Sequence, residues 1–173
     1  GYMKDFDFIN NGSLNKNNSI QAFNRKSNDV PPVQIIDRQC QDWETLKTKY
    51  NSFTQSIRMV DCHQNNCWSQ QDKRWSTTAI GMDKQGNVLF LFSRFPYTVH
   101  DYINILLAAP IDLYNAMYLE GGPPASFYLN CNDTVVEKVG SYETRYFEND
   151  DNTSFWPLPN VIGVRRKGIA GPF

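Results

Sequence analysis

The chain has 173 residues, 40% of them hydrophobic and 14% aromatic, enough to bury a sizeable core in one domain without covalent staples. A net charge of −1 gives no reason to expect nucleic acid or an anionic membrane surface as a partner. No run approaches the ~18 apolar residues of a membrane span, and no signal peptide is visible at Gly1-Tyr2-Met3-Lys4.

Residues Asn10 to Asp29 are polar and asparagine-rich and read as a loop or extended surface segment. Pro31-Pro32 ends it, and Val33-Gln34-Ile35-Ile36 reads as a strand. Asp42 is a good N-cap for a short helix carrying Trp43, Leu46 and Tyr50 on one face. Phe53 to Val60 reads as one strand, with Phe53, Gln55, Ile57 and Met59 on one side and Ser56 and Arg58 on the other. A polar loop then runs from Cys62 to Lys73. Thr77 to Met82 and Val88 to Phe92 form a hairpin around Asp83-Lys84-Gln85-Gly86-Asn87, and the continuously apolar second arm predicts a central strand covered on both faces.

Thr98-Val99-His100-Asp101 is a capping-box variant, with Asp for the usual Glu or Gln, and it opens the clearest helix. Ile103, Leu106 and Leu107 form its buried stripe, and Pro110 stops it. Tyr114 to Leu119 and Ser126 to Leu129 are strands around a Gly-Gly turn, and Val135 to Val139 and Asn160 to Arg166 complete the sheet. Strands outnumber helices and hairpin-length links dominate. The predicted class is α+β: a mixed, mainly antiparallel sheet with a few helices packed on it, as a single domain over residues 1–173.

Cys40, Cys62, Cys67 and Cys131 allow three full pairings. Cys62 and Cys67 flank a short polar loop that a local disulfide could close, and free thiols are the other reading. A zinc site of Cys62, His63 and Cys67 lacks paired Cys-x-x-Cys spacing and a fourth ligand, so no metal is expected. Asn11, Asn17, Asn132 and Asn152 each begin an Asn-x-Ser/Thr acceptor pattern, which an asparagine-rich chain also produces by chance.

The most informative stretch is Leu119-Glu120-Gly121-Gly122-Pro123-Pro124-Ala125-Ser126. Gly121 and Gly122 allow close approach to the main chain, and the two prolines stiffen the exit. Glu120 at the lip of such a turn reads either as a solvated turn residue or as a carboxylate held for chemistry. Three segments taken in order add to this: Thr78-Ala79-Ile80-Gly81, Leu119-Glu120-Gly121-Gly122 and Pro159-Asn160-Val161-Ile162-Gly163. Their order resembles the phosphodiester glycosidase family, in which a Thr-Ala-Ile-Gly strand precedes Leu-Asp-Gly-Gly and a Pro-Asn-x-Ile-Gly strand. The resemblance runs from about Ser52 to Arg166 and is nearest to a bacterial branch with Glu for Asp. Ser93-Arg94-Phe95-Pro96-Tyr97, followed by Val99-His100-Asp101, also matches that branch. Two positions depart from it: many members carry arginine where this chain has Thr77 and Trp156. Family domains also begin with strands leading to an Asn-Gly-Gly type segment, so the chain reads as an N-terminally truncated version.

The resemblance implies cleavage of a sugar from a sugar-1-phosphodiester or related glycan, an extracytoplasmic (periplasmic or secreted) setting and no cofactor. Glycosidic cleavage needs a nucleophile or base, together with a proton donor for the leaving oxygen, a demand that an acidic phosphate relaxes. Glu120 is the expected carboxylate, as base or nucleophile. His100, in the first turn of a helix whose dipole disfavours imidazolium, is expected to stay neutral and accept a proton. Arg94 and Arg58 are candidates to grip the phosphate, or else structural ion pairs. Gly121, Gly122, Asn115, Ser126 and Asn160 are expected along the substrate, with Tyr97 and Tyr128 available to stack on a sugar. A carbohydrate- or sugar-phosphate-binding domain without turnover, or a purely structural domain, are the other classes open to this sequence.

Overall fold

The computed structural model describes residues 1–166, and every strand ladder in it is antiparallel. The first sheet holds β1 (Met3–Asp5), β2 (Phe8–Asn11), β3 (Ser19–Arg25), β4 (Val33–Asp37) and β5 (Tyr50–Ser56), in the order β2-β1-β5-β3-β4. The second holds β6 (Arg58–Val60), β7 (Trp75–Asp83), β8 (Val88–Tyr97) and β9 (Leu113–Gly121), in the order β6-β9-β7-β8. β10 (Ser126–Cys131) and β11 (Thr134–Val139) form a separate hairpin instead of extending a sheet. The described helices are α1 (Trp43–Leu46) and α2 (Val99–Ala108), so the domain is richer in strand than the expected α+β balance.

The second sheet is the middle layer. On one face α2 buries Val99, Tyr102, Ile103 and Leu106 against Met59, Ala79, Leu113 and Ala116. Leu107 is only partly buried there, and Val99 and Tyr102 take its expected place in the stripe. On the other face Ile80, Met82 and Met117 meet Ile35 from the first sheet. The remaining core, of Ile20, Ala22, Ile36, Trp43, Tyr50 and Phe53, belongs to the first sheet and α1. Both caps form as read: the Thr45 N–H donates to Asp42 Oδ1 at 3.2 Å, and the Asp101 N–H to Thr98 Oγ1 at 3.0 Å. Ala109 turns extended (φ −71°, ψ 148°), as the residue before a proline must, and α2 stops.

Several expectations need correction. The polar stretch Asn10 to Asp29 contains β3, an interior strand whose Ile20 and Ala22 are fully buried, a short alternation hidden among asparagines. Tyr50 lies beyond the four-residue α1; it opens β5 and its hydroxyl donates to the Pro31 carbonyl at 2.7 Å. Phe53 to Val60 is not one strand: the chain leaves the first sheet at Ser56 and enters the second at Arg58, leaving Ile57 between them 40% exposed. The continuously apolar β8 is an edge strand. The interior place goes to β7, whose Ser76, Thr77 and Thr78 are buried because their hydroxyls are hydrogen-bonded to backbone carbonyls. Residues 160–166 form no strand, although Ile162 packs against the Ile35–Ile80–Met82–Met117 cluster.

The local Cys62–Cys67 disulfide does not form, and the free-thiol reading holds for two of the four cysteines. Cys40 is joined to Cys62 across Cα atoms 6.4 Å apart, while Cys67 and Cys131 are free. The bridge ties the segment after β4 to the segment after β6 and so links the two sheets. Of the acceptor asparagines, Asn152 is buried and donates to the Gly140 carbonyl, which withholds it from a glycosyl donor.

Two measurements check this architecture. Leu106→Ala should cost ~2–5 kcal/mol in chemical denaturation, as expected for a truncated buried leucine. Peptide mapping without reduction should recover a Cys40–Cys62 cross-linked peptide, and Cys62→Ser should lower stability by ~2–4 kcal/mol.

Candidate functional site

The Gly-Gly turn is stitched to the end of β7. Thr78 pairs with Glu120 and Thr77 with Gly121, and the Gly122 N–H then donates to the Ser76 carbonyl at 2.8 Å. Gly122 has φ +71°, a left-handed conformation that glycine adopts without steric cost. Its carbonyl accepts from the Ala125 N–H at 3.0 Å, closing a turn with Pro123 and Pro124 at its centre. Both glycines also serve close approach. A Cβ on Gly121 would overlap the Tyr118 hydroxyl and the Trp75 indole, and one on Gly122 would lie 2.8 Å from Glu143 Oε2. Glu120 is exposed, and its Oε1 accepts from the Gly121 N–H at 2.9 Å.

Glu143 comes from a segment with no counterpart in the sequence reading, and its place is set by backbone bonds. The Ser76 N–H donates to the Tyr142 carbonyl at 3.0 Å, and Glu143 pairs with Trp75 as an isolated bridge. Glu143 and Phe147 exchange N–H to carbonyl bonds, both of 2.8 Å. The Glu143 carboxyl is pushed above its ordinary value by partial burial first and by the Glu120 charge second, with Lys73 opposing. The Tyr118 phenol is likewise pushed up, by burial and then by Glu120. Tyr118 and Trp75 thus stand against Gly121 and Glu143 against Gly122, with the Glu120 charge acting on both Glu143 and Tyr118.

An open pocket of about 430 Å³ adjoins this group, lined among others by Arg58, Trp68, Ser69, Gln70 and Gln71. Trp68 connects the two, because its ring packs on Tyr118 with centroids 5.5 Å apart. Gln71 Nε2 is buried and has no hydrogen-bond acceptor among the described residues. Arg58 Nη1 is held by both Asp37 carboxylate oxygens at 3.0 Å and by Gln39 Oε1 at 2.7 Å. Asp37 is almost fully buried, so this ion pair spans the junction of the two sheets.

Of the residues singled out from sequence, Glu120, Gly121 and Gly122 come together at the turn, and Arg58 lines the adjoining pocket. Arg94 turns elsewhere: its guanidinium donates to the carbonyls of Val139, Asp150 and Asn152 and pairs with the Asp150 carboxylate at 2.9 Å. His100 Nδ1 lies 3.3 Å from Asn104 Nδ2 and 3.5 Å from Asp101. The His100 carbonyl accepts from Asn66, in the loop that leads to the pocket. Among the described residues no hydrogen bond or ion pair joins Glu120 to Arg94 or His100. Asn115 is buried and donates to the Ile35 carbonyl, about 17 Å along β9 from Glu120 at strand spacing. The Ser126 hydroxyl donates to the Pro124 carbonyl, and Asn160 is exposed beyond β11. Tyr97 packs on Phe95, and Tyr128 is exposed on β10.

Glu143, Tyr118, Trp75 and Trp68 are the residues that sequence reasoning passed over. Nothing local marks them, since each reaches the turn through a ladder or ring contact with a distant segment.

A carboxyl with a raised folded value holds a proton that the unfolded chain has already released. Its protonation therefore favours the fold at low pH, and that contribution is lost as pH rises through the raised value. Glu143→Gln should melt above the wild type at neutral pH, and the gap should close at about pH 4 and below, where the carboxyl is protonated in both folded and unfolded chains.

The model of the phosphodiester glycosidase family matches residues 2–165. Comparison with curated proteins gives no match. The family match takes in β1 through β11 and both carboxylates at the turn, and the chain belongs to the phosphodiester glycosidase family.

Proposed function

We propose that the chain hydrolyses the bond between a sugar's anomeric carbon and the phosphate of a sugar-1-phosphodiester, with Glu120 as the reacting carboxylate. The observation that carries this reading is the rigid turn. Glu120 is exposed at the end of an interior strand, on a backbone pinned to Ser76, beside an aromatic wall of Tyr118 and Trp75. A carboxylate so placed can supply the electron pair at the anomeric carbon, directly or by deprotonating the attacking water. A phosphate leaves as a stable anion and asks little of a proton donor.

The pocket beside Trp68 suits the sugar. Its indole offers a face for stacking, and Gln71 Nε2 offers a donor without a protein acceptor. The Arg58 charge is already compensated by Asp37, which favours an uncharged ring there over the phosphate. Lys73, whose charge is felt at Glu143, is a cation available for the phosphate oxygens. The Cys40–Cys62 disulfide fits an oxidising compartment, and we place the protein outside the cytoplasm on that ground.

Binding without turnover is the second reading, favoured by Thr77 and Trp156, which stand where many family members carry arginine. One variant separates the two. Glu120→Gln keeps the size and hydrogen-bonding shape of the side chain but can neither take a proton nor attack carbon. Hydrolysis of a sugar-1-phosphodiester should fall ~10²–10⁴-fold while sugar-phosphate affinity changes little. Saturable binding by the wild type with no turnover would select the second reading.

A further inference from the structure

Glu143 has no part in the reaction just described. Its side chain nevertheless lies against Gly122, and no hydrogen bond or ion pair to it occurs among the described residues. Building on the assignment of Glu120, we propose that Glu143 is the general acid of this site, which equips it to cleave glycosides whose leaving group is an ordinary alcohol.

The backbone holds the carboxyl in one place. Glu143 is bonded in both directions to Phe147 and bridged to Trp75, and the neighbouring Thr144 N–H donates to the Arg74 carbonyl at 3.0 Å. The turn opposite it carries Gly122, where a Cβ would lie 2.8 Å from Glu143 Oε2. The charged and titratable groups that act on it are Glu120 and Tyr118 on β9 and Lys73 in the preceding loop. Burial and the Glu120 charge keep its proton on to a higher pH than usual, against the pull of Lys73. Glu120 is exposed and its Oε1 accepts from the Gly121 N–H, while Glu143 is the half-buried carboxyl on the other side of Gly122. Two carboxyls at one site are the pair that glycoside cleavage employs, one donating the proton and the other acting as base or nucleophile.

In the step this implies, the C1–O bond to the aglycone breaks and its electron pair stays on the departing oxygen. That oxygen takes the Glu143 proton and leaves as a neutral alcohol, with Glu143 now a carboxylate. Water supplies the new C1–O bond, deprotonated by Glu120 or attacking the glycosyl ester that Glu120 has formed. The proton released by water returns Glu143 to its starting state.

Three substrates with one sugar test this: an N-acetylglucosamine-1-phosphodiester, the p-nitrophenyl glycoside and the methyl glycoside, in both anomers. The wild type should turn over all three in one anomeric series. Glu143→Gln should lower kcat on the methyl glycoside ~10²–10⁴-fold, with a smaller loss on the p-nitrophenyl glycoside and the smallest on the phosphodiester, so that the loss follows the basicity of the leaving group. The alkaline limb of the methyl-glycoside pH profile should vanish with it. A wild type that cleaves only the phosphodiester overturns the proposal and leaves the assignment of Glu120 standing. An equal loss on all three substrates overturns it too, because it would show a positioning role. Undiminished hydrolysis by Glu120→Gln, or no hydrolysis of any substrate by the wild type, overturns the earlier reading and this one with it.

Discussion

The site depends on one fully buried serine. Ser76 uses every polar group it has: its N–H reaches Tyr142, its carbonyl receives Gly122, and its hydroxyl donates to the Arg94 carbonyl and accepts from the Ser141 N–H. Three segments distant in sequence, at Arg94, Gly122 and Ser141–Tyr142, are thereby fixed to one residue of an interior strand. A buried hydroxyl with its partners removed leaves donors and acceptors stranded, at a cost of ~1–3 kcal/mol for each. The arrangement of Glu120 and Glu143 around the turn is thus a consequence of satisfying a buried polar residue.

Arg94 extends the same network. The sequence presents it as a phosphate ligand, and the structure puts its guanidinium on three carbonyls of the chain between residues 139 and 152. Ser141 and Asn152 complete that segment, each bonding within it. Arg94 so acts on the loop that carries Glu143, and it touches the chemistry only through that loop. Arg58 has a comparable duty at the junction of the sheets, where it neutralises the buried Asp37 and also forms a wall of the pocket.

What was legible in the sequence was local. The caps at Asp42 and Thr98, the stop at Pro110, the β7–β8 hairpin and the glycine turn all follow from neighbouring residues, and each is present. The failures are non-local. Continuous hydrophobicity in β8 suggested an interior strand, yet that place belongs to β7, whose hydroxyls become tolerable only once their partners are known. Cys62 has a near neighbour in Cys67 but bonds to Cys40, which the fold brings close from another sheet. Glu143 sits in an unremarkable Ser-Tyr-Glu-Thr run and gains meaning only from its contact with Gly122.

The crowding over the two glycines also bears on how such a domain can diversify. With Trp75 and Tyr118 against Gly121 and Glu143 against Gly122, a side chain at either glycine would push these neighbours away. The loop from Cys62 to Lys73 is anchored at Cys62, Asn66 and Trp68, but Ser69 and Gln70 are exposed on it and line the pocket. Substitutions are therefore accommodated at Ser69 and Gln70 more readily than at the turn, which its own packing restrains. For an enzyme of the kind proposed, ligand preference can change while the segment that carries the carboxylate stays as it is.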